Sequence, residues 1–140
     1  MERIAPAGDV YQAGTLSGNP LAVAAGRTAL ALLDEGAYAR LAATTTALAE
    51  GLREAAGDRP LQVQSACGLV TIFFSETPVT DYVGAQACDT ETYGAWCRAL
   101  LANGVYPPPS QFEAWFPSLA HTEEHVERTI EAARAAFAAL

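Results

Sequence analysis

A short segment rich in glycine and hydroxyl side chains is the first place where this sequence could do chemistry. Residues 14–18 contain two glycines, a threonine and a serine, and Asn19-Pro20 follows them. That pair is typical of a helix start, because asparagine caps helices well and proline fits the first helical position. Backbone N–H groups at a helix start suit a phosphate. The segment predicts an anion site at Gly14 and Thr15, with a simple capped turn as the alternative.

A second candidate is a stretch rich in proline and aromatic residues, 107–116, whose single charge is Glu113. A carboxylate among apolar residues can lose part of its hydration and become tuned for proton transfer or for contact with an amine. The alternative interpretation is a solvated loop glutamate, because glutamate is rarely buried. Glu113 is therefore a candidate site residue in one of two environments.

A third pattern is His121-Thr122-Glu123-Glu124-His125, which has the H-x-x-E-H spacing of one class of zinc protease. That class needs both histidines on one face of a helix. Thr122 is the better candidate for an N-cap, which places His121 outside the helix. The chain has only 2 histidines, so a third ligand would have to be a carboxylate. We expect no metal site here.

The charge balance and composition narrow the possible functions. The 140 residues carry a net charge of −8, and all 8 basic residues are arginine. Nucleic acids and anionic membranes are bound by clustered basic residues, so neither partner is expected. Without lysine the chain cannot itself form a Schiff base with a carbonyl substrate or a pyridoxal cofactor. A Walker phosphate loop is excluded for the same reason.

The cysteines and the N-terminus indicate a location. Cys67, Cys88 and Cys97 are widely spaced and include no C-x-x-C pair, so they are predicted to be small buried thiols in a reducing compartment. The first residues contain no apolar signal region, and no apolar run approaches the roughly 20 residues of a membrane span. We therefore expect a cytoplasmic protein.

The apolar pattern predicts the elements that must position these candidates. The first helix, Leu21 to Leu33, is apolar nearly all around and is expected to be buried on more than one side. Further elements follow in the order helix, strand, strand, loop, helix, strand, strand, helix. They are predicted at 38–52, 61–65, 69–74, 75–88, from Asp89, 105–106, 115–120 and from Thr122.

This order predicts the fold class. After the first two helices it reads β-β-α-β-β-α, which indicates an α/β (α+β) domain of two layers, a mostly antiparallel sheet covered by helices on one face. The predicted divisions are an irregular segment with the phosphate-facing turn at 1–18, a helical segment at 19–56, and a small α/β C-terminal domain at 57–140.

Several runs of the sequence resemble the class III pyridoxal-phosphate aminotransferases. Residues 10–22 contain a Gly-Thr-x-x-Gly-Asn-Pro core like the segment downstream of that family's cofactor lysine. The glutamate-1-semialdehyde aminomutase branch is the more specific match, through Gly104-Val105-Tyr106, the run Pro109-Ser110-Gln111-Phe112-Glu113-Ala114, Ser118 and His121-Thr122. Residues 73–93 fit as well. The resemblance covers essentially the whole chain, and it implies the small C-terminal domain of a fold-type I pyridoxal-phosphate enzyme.

The resemblance also implies a reaction and its partners. Enzymes of this branch convert glutamate 1-semialdehyde to 5-aminolevulinate, a tetrapyrrole precursor, and use pyridoxal 5'-phosphate. They are much longer than this chain, and a large domain carries the cofactor lysine. The implied partners are that large domain and a second subunit, as a homodimer or through self-association. We expect no covalently bound cofactor and no catalysis from this chain alone, and an exposed apolar surface on the first helix.

Three site residues follow from the resemblance. Gly14, through its backbone, and Thr15 match the position that reaches the cofactor phosphate of the neighbouring subunit. Glu113 matches a glutamate beside the substrate and its mobile lid. No catalytic residue is assigned to this chain.

Two other functions remain open at the level of sequence. One is a free-standing binding or dimerisation module of ACT-like size, although such a module would begin with a strand rather than two helices. The other is the same domain of a different class III aminotransferase, against which residues 110–113 argue.

Overall fold

The computed structural model describes residues 1–140 and divides into two compact units, Met1–Asp34 and Glu35–Leu140. We call them the N-terminal unit and the C-terminal unit. The predicted division grouped both long helices at 19–56, whereas the structure places only the first of them in the N-terminal unit. The second helix belongs with the C-terminal unit because it packs on the sheet and on the last helix.

The N-terminal unit consists of turns followed by helix α1 (Pro20–Ala31). The helix begins where the sequence predicts, because the Asn19 side chain accepts the N–H groups of Leu21 and Ala22, each at 3.1 Å. No residue of α1 is buried. The expectation that this helix is buried on more than one side is therefore wrong for these 140 residues, and the expected exposed apolar surface is present. Its large exposed side chains are Leu21, Val23 and Leu30.

The C-terminal unit contains one β-hairpin and four helices. Strands β1 (Leu61–Ala66) and β2 (Leu69–Phe74) pair antiparallel. Three of the helices contact this hairpin or one another. The predicted α+β class with an antiparallel sheet is confirmed. The helices of this unit are α2 (Glu35–Ala56), α3 (Tyr82–Gln86), α4 (Thr90–Ala102) and α5 (Glu123–Ala138).

One buried hydroxyl fastens the hairpin turn to α2. Gly68 has a positive φ of 79°, which glycine adopts without steric cost, and its N–H donates to Thr45 Oγ1 at 3.0 Å. The same hydroxyl donates to Leu41 O at 2.6 Å. Thr45 is 3% exposed, so both bonds lie away from water and fix the register of the turn on the helix.

Aromatic rings dominate the core of the C-terminal unit. Trp96 is fully buried and stacks on Phe137, with centroids 5.0 Å apart, and on Trp115 at 5.8 Å. Helices α2 and α5 approach closely at Gly51, where an added Cβ would collide with Ile130. The strands, α2, α4 and α5 thus share one core.

The sheet is smaller than the sequence predicts. Residues 105–106 form no strand, because the Val105 N–H bonds to Leu100 O at the end of α4. The predicted strand at 115–120 is reduced to one bridge between Trp115 and Val70. Prolines explain both differences: those at 107–109 and at 117 have no N–H to donate to a ladder.

Two smaller differences concern the 75–88 loop and the cysteines. The loop contains the short helix α3, capped by the Asp81 side chain, which accepts the Gly84 N–H at 2.8 Å. Cys88 and Cys97 are buried as predicted, and burial raises the pKa of both thiols. Cys67 is exposed, contrary to prediction, because it sits in the hairpin turn.

None of the helices is long and apolar enough to cross a bilayer.

Candidate functional site

The candidate phosphate-facing segment, 14–19, forms two consecutive turns, and the second of them needs its glycine. The Ser17 N–H donates to Gly14 O at 3.1 Å, and the Asn19 N–H donates to Leu16 O at 3.0 Å. Gly18 has a φ of 74°, which glycine adopts without steric cost, and a Cβ on Gly14 would require the Ser17 hydroxyl to turn away. The backbone of 14–19 is thus closely determined by its own sequence.

The donors that this turn can offer are a hydroxyl and backbone amides. Thr15 is exposed, and its hydroxyl takes no part in the bonds of the turn. Asn19 occupies the N–H groups of Leu21 and Ala22, which a helix start would otherwise present to an anion. The donors that remain are neutral, and neutral N–H and O–H groups are of the chemical type that can hold a phosphate. The assignment of Gly14 and Thr15 stays a prediction.

Glu113 lies at a groove of about 660 Å³ in the C-terminal unit. The groove runs between the 105–117 segment and the start of α5, and Leu48 of α2 contributes an apolar wall. Glu113 is exposed there, which is the solvated environment and not the desolvated one. It can accept a proton or contact an ammonium group, and its place beside a substrate stays a prediction.

The turn that carries Glu113 is held by its own serine and by α3. The Ser110 hydroxyl accepts the Phe112 N–H at 3.2 Å, and Ser110 O accepts the Glu113 N–H at 3.1 Å. Gln111 is 2% exposed, and its Nε2 donates to Ala85 O at 2.7 Å. Sequence reasoning missed Gln111, because a glutamine beside a proline run has no pattern that distinguishes it.

The proline run beside the groove is anchored to α4 by two buried polar groups. The Tyr93 hydroxyl donates to Pro108 O at 3.0 Å, and the Cys97 thiol donates to the same oxygen at 3.5 Å. Burial raises the pKa of the Tyr93 phenol well above its ordinary value, so the neutral donor persists in the folded protein. These bonds fix residues 107–109 as one wall of the groove.

The two histidines line the same groove, and their rings accept backbone N–H groups at and just before the start of α5. His121 Nδ1 accepts the Ser118 N–H at 2.9 Å, and His125 Nδ1 accepts the Thr122 N–H at 3.1 Å. Thr122 is the N-cap of α5, and His121 lies outside the helix, as predicted. No group of three or more His, Cys, Asp or Glu side chains is placed to hold a metal ion.

Comparison with known proteins covers nearly the whole chain. The chain is 55% identical over 140 residues to the glutamate-1-semialdehyde 2,1-aminomutase of Anaeromyxobacter sp. strain K, and the match covers 99% of this chain and 33% of that protein. It is 52% identical over 141 residues to the same-named protein of Thermomicrobium roseum, again covering 99% and 33%. The chain matches the C-terminal third of the glutamate-1-semialdehyde 2,1-aminomutase family. The resemblance seen in the sequence is thereby confirmed, and the chain spans about a third of the length of these aminomutases.

Solved transaminase structures contain the same fold as this chain. An omega-transaminase from Sphaerobacter thermophilus superposes with a TM-score of 0.76 at 25% identity, covering 92% of this chain and 30% of that one. A transaminase with PLP bound superposes with a TM-score of 0.74 at 19% identity, covering 96% and 31%. No protein-family model matches. The element order begins with two helices, which contradicts the ACT-like alternative.

Proposed function

We propose that this chain provides the C-terminal third of an enzyme that converts glutamate 1-semialdehyde to 5-aminolevulinate. The observation that carries the proposal is 55% identity, over 99% of the chain, to a protein named for that aminomutase reaction. The run 109–114 supports the aminomutase over other class III transaminases, because the sequence resemblance is most specific there.

Pyridoxal 5'-phosphate is the proposed cofactor, and this chain contributes to its phosphate end only. The hydroxyl of Thr15 and the N–H of Gly14 are available as donors in an exposed turn. The chain has no lysine, so the amine that holds the aldehyde end comes from elsewhere in the enzyme. When bound, the cofactor supplies an electron sink for chemistry at an amine-bearing carbon.

Glu113 is the proposed substrate-side carboxylate. It is exposed at the groove, and its turn is fixed by Ser110 and Gln111, so its position is defined while its oxygens stay free to meet a ligand. An anionic oxygen here would orient the amino group of the substrate or accept a proton from it.

The proposed partners are a large cofactor-binding domain and a second subunit in a homodimer. Helix α1 supports this, because it buries none of its residues although its exposed positions include Leu21 and Leu30. Apolar surface of this kind marks an interaction site in a soluble protein. The Anaeromyxobacter relative is about three times as long as this chain, which leaves room for the covering domain.

A chimeric enzyme tests the proposed function. Residues 1–140 replace the matching third of the Anaeromyxobacter sp. strain K protein, and formation of 5-aminolevulinate is followed with time. We expect a kcat/KM within about tenfold of the parent, a transition-state difference of about 1.4 kcal/mol. A chimera that folds and retains pyridoxal phosphate but forms no 5-aminolevulinate contradicts the proposal.

The same chimera tests the phosphate-facing residue. Thr15→Val removes one donor and keeps the shape of the side chain, so the dissociation constant of pyridoxal phosphate should rise about tenfold. Ser17→Ala, two residues along the same turn, is the control and should change it by less than about twofold. Equal effects of the two variants would show that the turn, and not the Thr15 hydroxyl, matters.

A further inference from the structure

Two side-chain contacts fasten the turn that carries Glu113 to helix α3. The Nε2 of Gln111 donates to Ala85 O at 2.7 Å, and both residues are buried. The ring of Phe112 lies against the ring of Tyr82, with centroids 5.9 Å apart. Glu113, the next residue, is exposed at the groove. Of three consecutive residues, Gln111 thus makes a buried hydrogen bond, Phe112 makes a ring contact, and Glu113 presents an exposed carboxylate.

The carbonyl that Gln111 reaches belongs to the end of a short helix. Helix α3 has only 5 residues, and at its end Ala85 O accepts the Cys88 N–H at 3.3 Å as well as the Gln111 amide. Ala85 packs with Phe73 and Val79 in a small apolar cluster next to strand β2. The bond from Gln111 therefore connects the Glu113 turn, through Ala85, to the sheet.

The amide of Gln111 can serve this tie in one orientation only. Turning it over would place Oε1 against Ala85 O, and two acceptors repel each other. In the observed orientation Oε1 is buried without a partner. An unpaired buried acceptor is unfavourable, so the donor bond to Ala85 is what this side chain contributes over an apolar one.

We propose that Gln111 is a positioning residue for Glu113: its buried amide fixes the 110–113 turn to α3 and so sets where the Glu113 carboxylate stands at the groove. The effect on catalysis rests on the proposed function. The effect on the position and mobility of the turn is a property of this chain alone.

Backbone NMR on the 140-residue chain tests the tie directly. Gln111→Met keeps the length of the side chain and removes the donor. We expect amide order parameters at Phe112 and Glu113 to fall from about 0.85 to below about 0.6, with shift changes at Ala85. The control is Gln62→Met, which removes another glutamine donor to a backbone carbonyl, on β1, and should leave the Glu113 amide unchanged. An unchanged order parameter at Glu113 in Gln111→Met overturns the proposal.

A second variant keeps the test decisive if Gln111→Met fails to fold. Gln111→Glu carries a donor only while its carboxyl is protonated, so the turn should be ordered in acid and released as the pH rises through the carboxyl pKa, which burial raises. The native chain should show no such step at Glu113. Order at Glu113 that is independent of pH in Gln111→Glu contradicts a role for the hydrogen bond.

A double-substitution cycle in the chimera separates positioning from general damage. If Gln111 acts through Glu113, Gln111→Met lowers kcat/KM about fivefold in the native background and hardly at all when Glu113→Gln is already present. Two effects that multiply would show that Gln111 acts independently and would overturn the positioning role. A folded, cofactor-loaded chimera without activity contradicts the proposed function. The order parameters of the 140-residue chain still test whether the hydrogen bond from Gln111 to Ala85 orders the 110–113 turn.

Discussion

Helices α1 and α2 are both rich in alanine and leucine, yet they have opposite fates. Helix α1 buries none of its 12 residues, whereas α2 buries seven of its 22 against the sheet and α5. Helix-forming residues alone give a short helix little stability in water, and most of it comes from tertiary packing. Helix α2 is therefore stabilised within this chain, whereas α1 has the surface of a helix that something else covers.

The two candidate sites also differ in whether their shape depends on neighbouring residues or on residues distant in sequence. The turn at Gly14 and Thr15 is shaped by bonds among neighbouring residues, chiefly those of Ser17 and Asn19. The groove at Glu113 is shaped by partners distant in sequence, such as Tyr93 on Pro108. Substitutions that remove packing in the C-terminal unit should therefore lower the free energy of unfolding, whereas those in the N-terminal unit should leave it nearly unchanged.

The largest expected difference concerns one leucine in each helix. Leu52→Ala empties a fully buried site in α2 and should lower the free energy of unfolding by about 2–5 kcal/mol. Leu30→Ala, at a residue of α1 that is 70% exposed, should change it by less than about 0.5 kcal/mol. Urea unfolding of both variants, followed by tryptophan fluorescence, measures the contrast, and equal losses would contradict it.

A pair of helix glycines sharpens the comparison. Gly51→Ala places a methyl group against Ile130, and overpacking of this kind should destabilise the chain by about 1–3 kcal/mol. Gly26→Ala in α1 meets no atom within 4 Å and should raise the helicity of α1, because alanine favours helix by about 1 kcal/mol. Thermal unfolding and far-ultraviolet circular dichroism report the two outcomes. A neutral Gly51→Ala would mean that the Ile130 side chain moves aside at no cost, and would contradict tight packing at this position.

Two threonines give a smaller contrast. Thr45→Val leaves the Gly68 N–H without its buried acceptor and should cost about 1–2 kcal/mol. Thr28 in α1 makes a similar bond to its own helix, to Ala24 O, but it is exposed, so Thr28→Val should cost less than about 0.5 kcal/mol. The urea midpoints of the two variants measure this difference. A Thr45→Val variant as stable as the native chain would contradict the claim that this hydroxyl fastens the hairpin turn to α2.

The smallest expected difference is seen only at alkaline pH, where Tyr93 and Tyr11 should contribute differently to the free energy of unfolding. Burial raises the folded-state pKa of Tyr93, so its contribution to stability is full below about pH 10 and is lost as the pH rises further. Tyr93→Phe should flatten the fall in stability above about pH 10, whereas Tyr11→Phe, at a residue that is 81% exposed, should not. Urea midpoints at several alkaline pH values measure both slopes. Parallel slopes in all three proteins would contradict a buried Tyr93 phenol.

The sequence predicted those features that depend on neighbouring residues. The helix caps predicted at Asn19 and Thr122 are correct, because a cap is a bond between residues two or three apart. The extra strands at 105–106 and 115–120 are wrong, because strand pairing depends on partners that periodicity does not identify.

The candidate sites follow the same rule. Gly14 and Thr15 lie in a turn whose glycines the sequence displays, although Asn19 occupies two of the amides that the pattern offered to an anion. For Glu113 the sequence left two environments open, and only the folded groove decides for the exposed one. Gln111 was missed because its burial depends on α3, a helix that composition predicted to be a loop.

Hydrogen exchange along the backbone tests most directly whether the two regions differ as described. In the 140-residue chain alone, amides of α2, α4 and α5 should be protected close to the global free energy of unfolding, and those of α1 should exchange within about tenfold of an unfolded peptide. In the active chimera, the α1 amides should become protected. Protection of α1 equal to that of α2 in the isolated chain, or an unprotected α1 in a chimera that forms 5-aminolevulinate, would contradict the account.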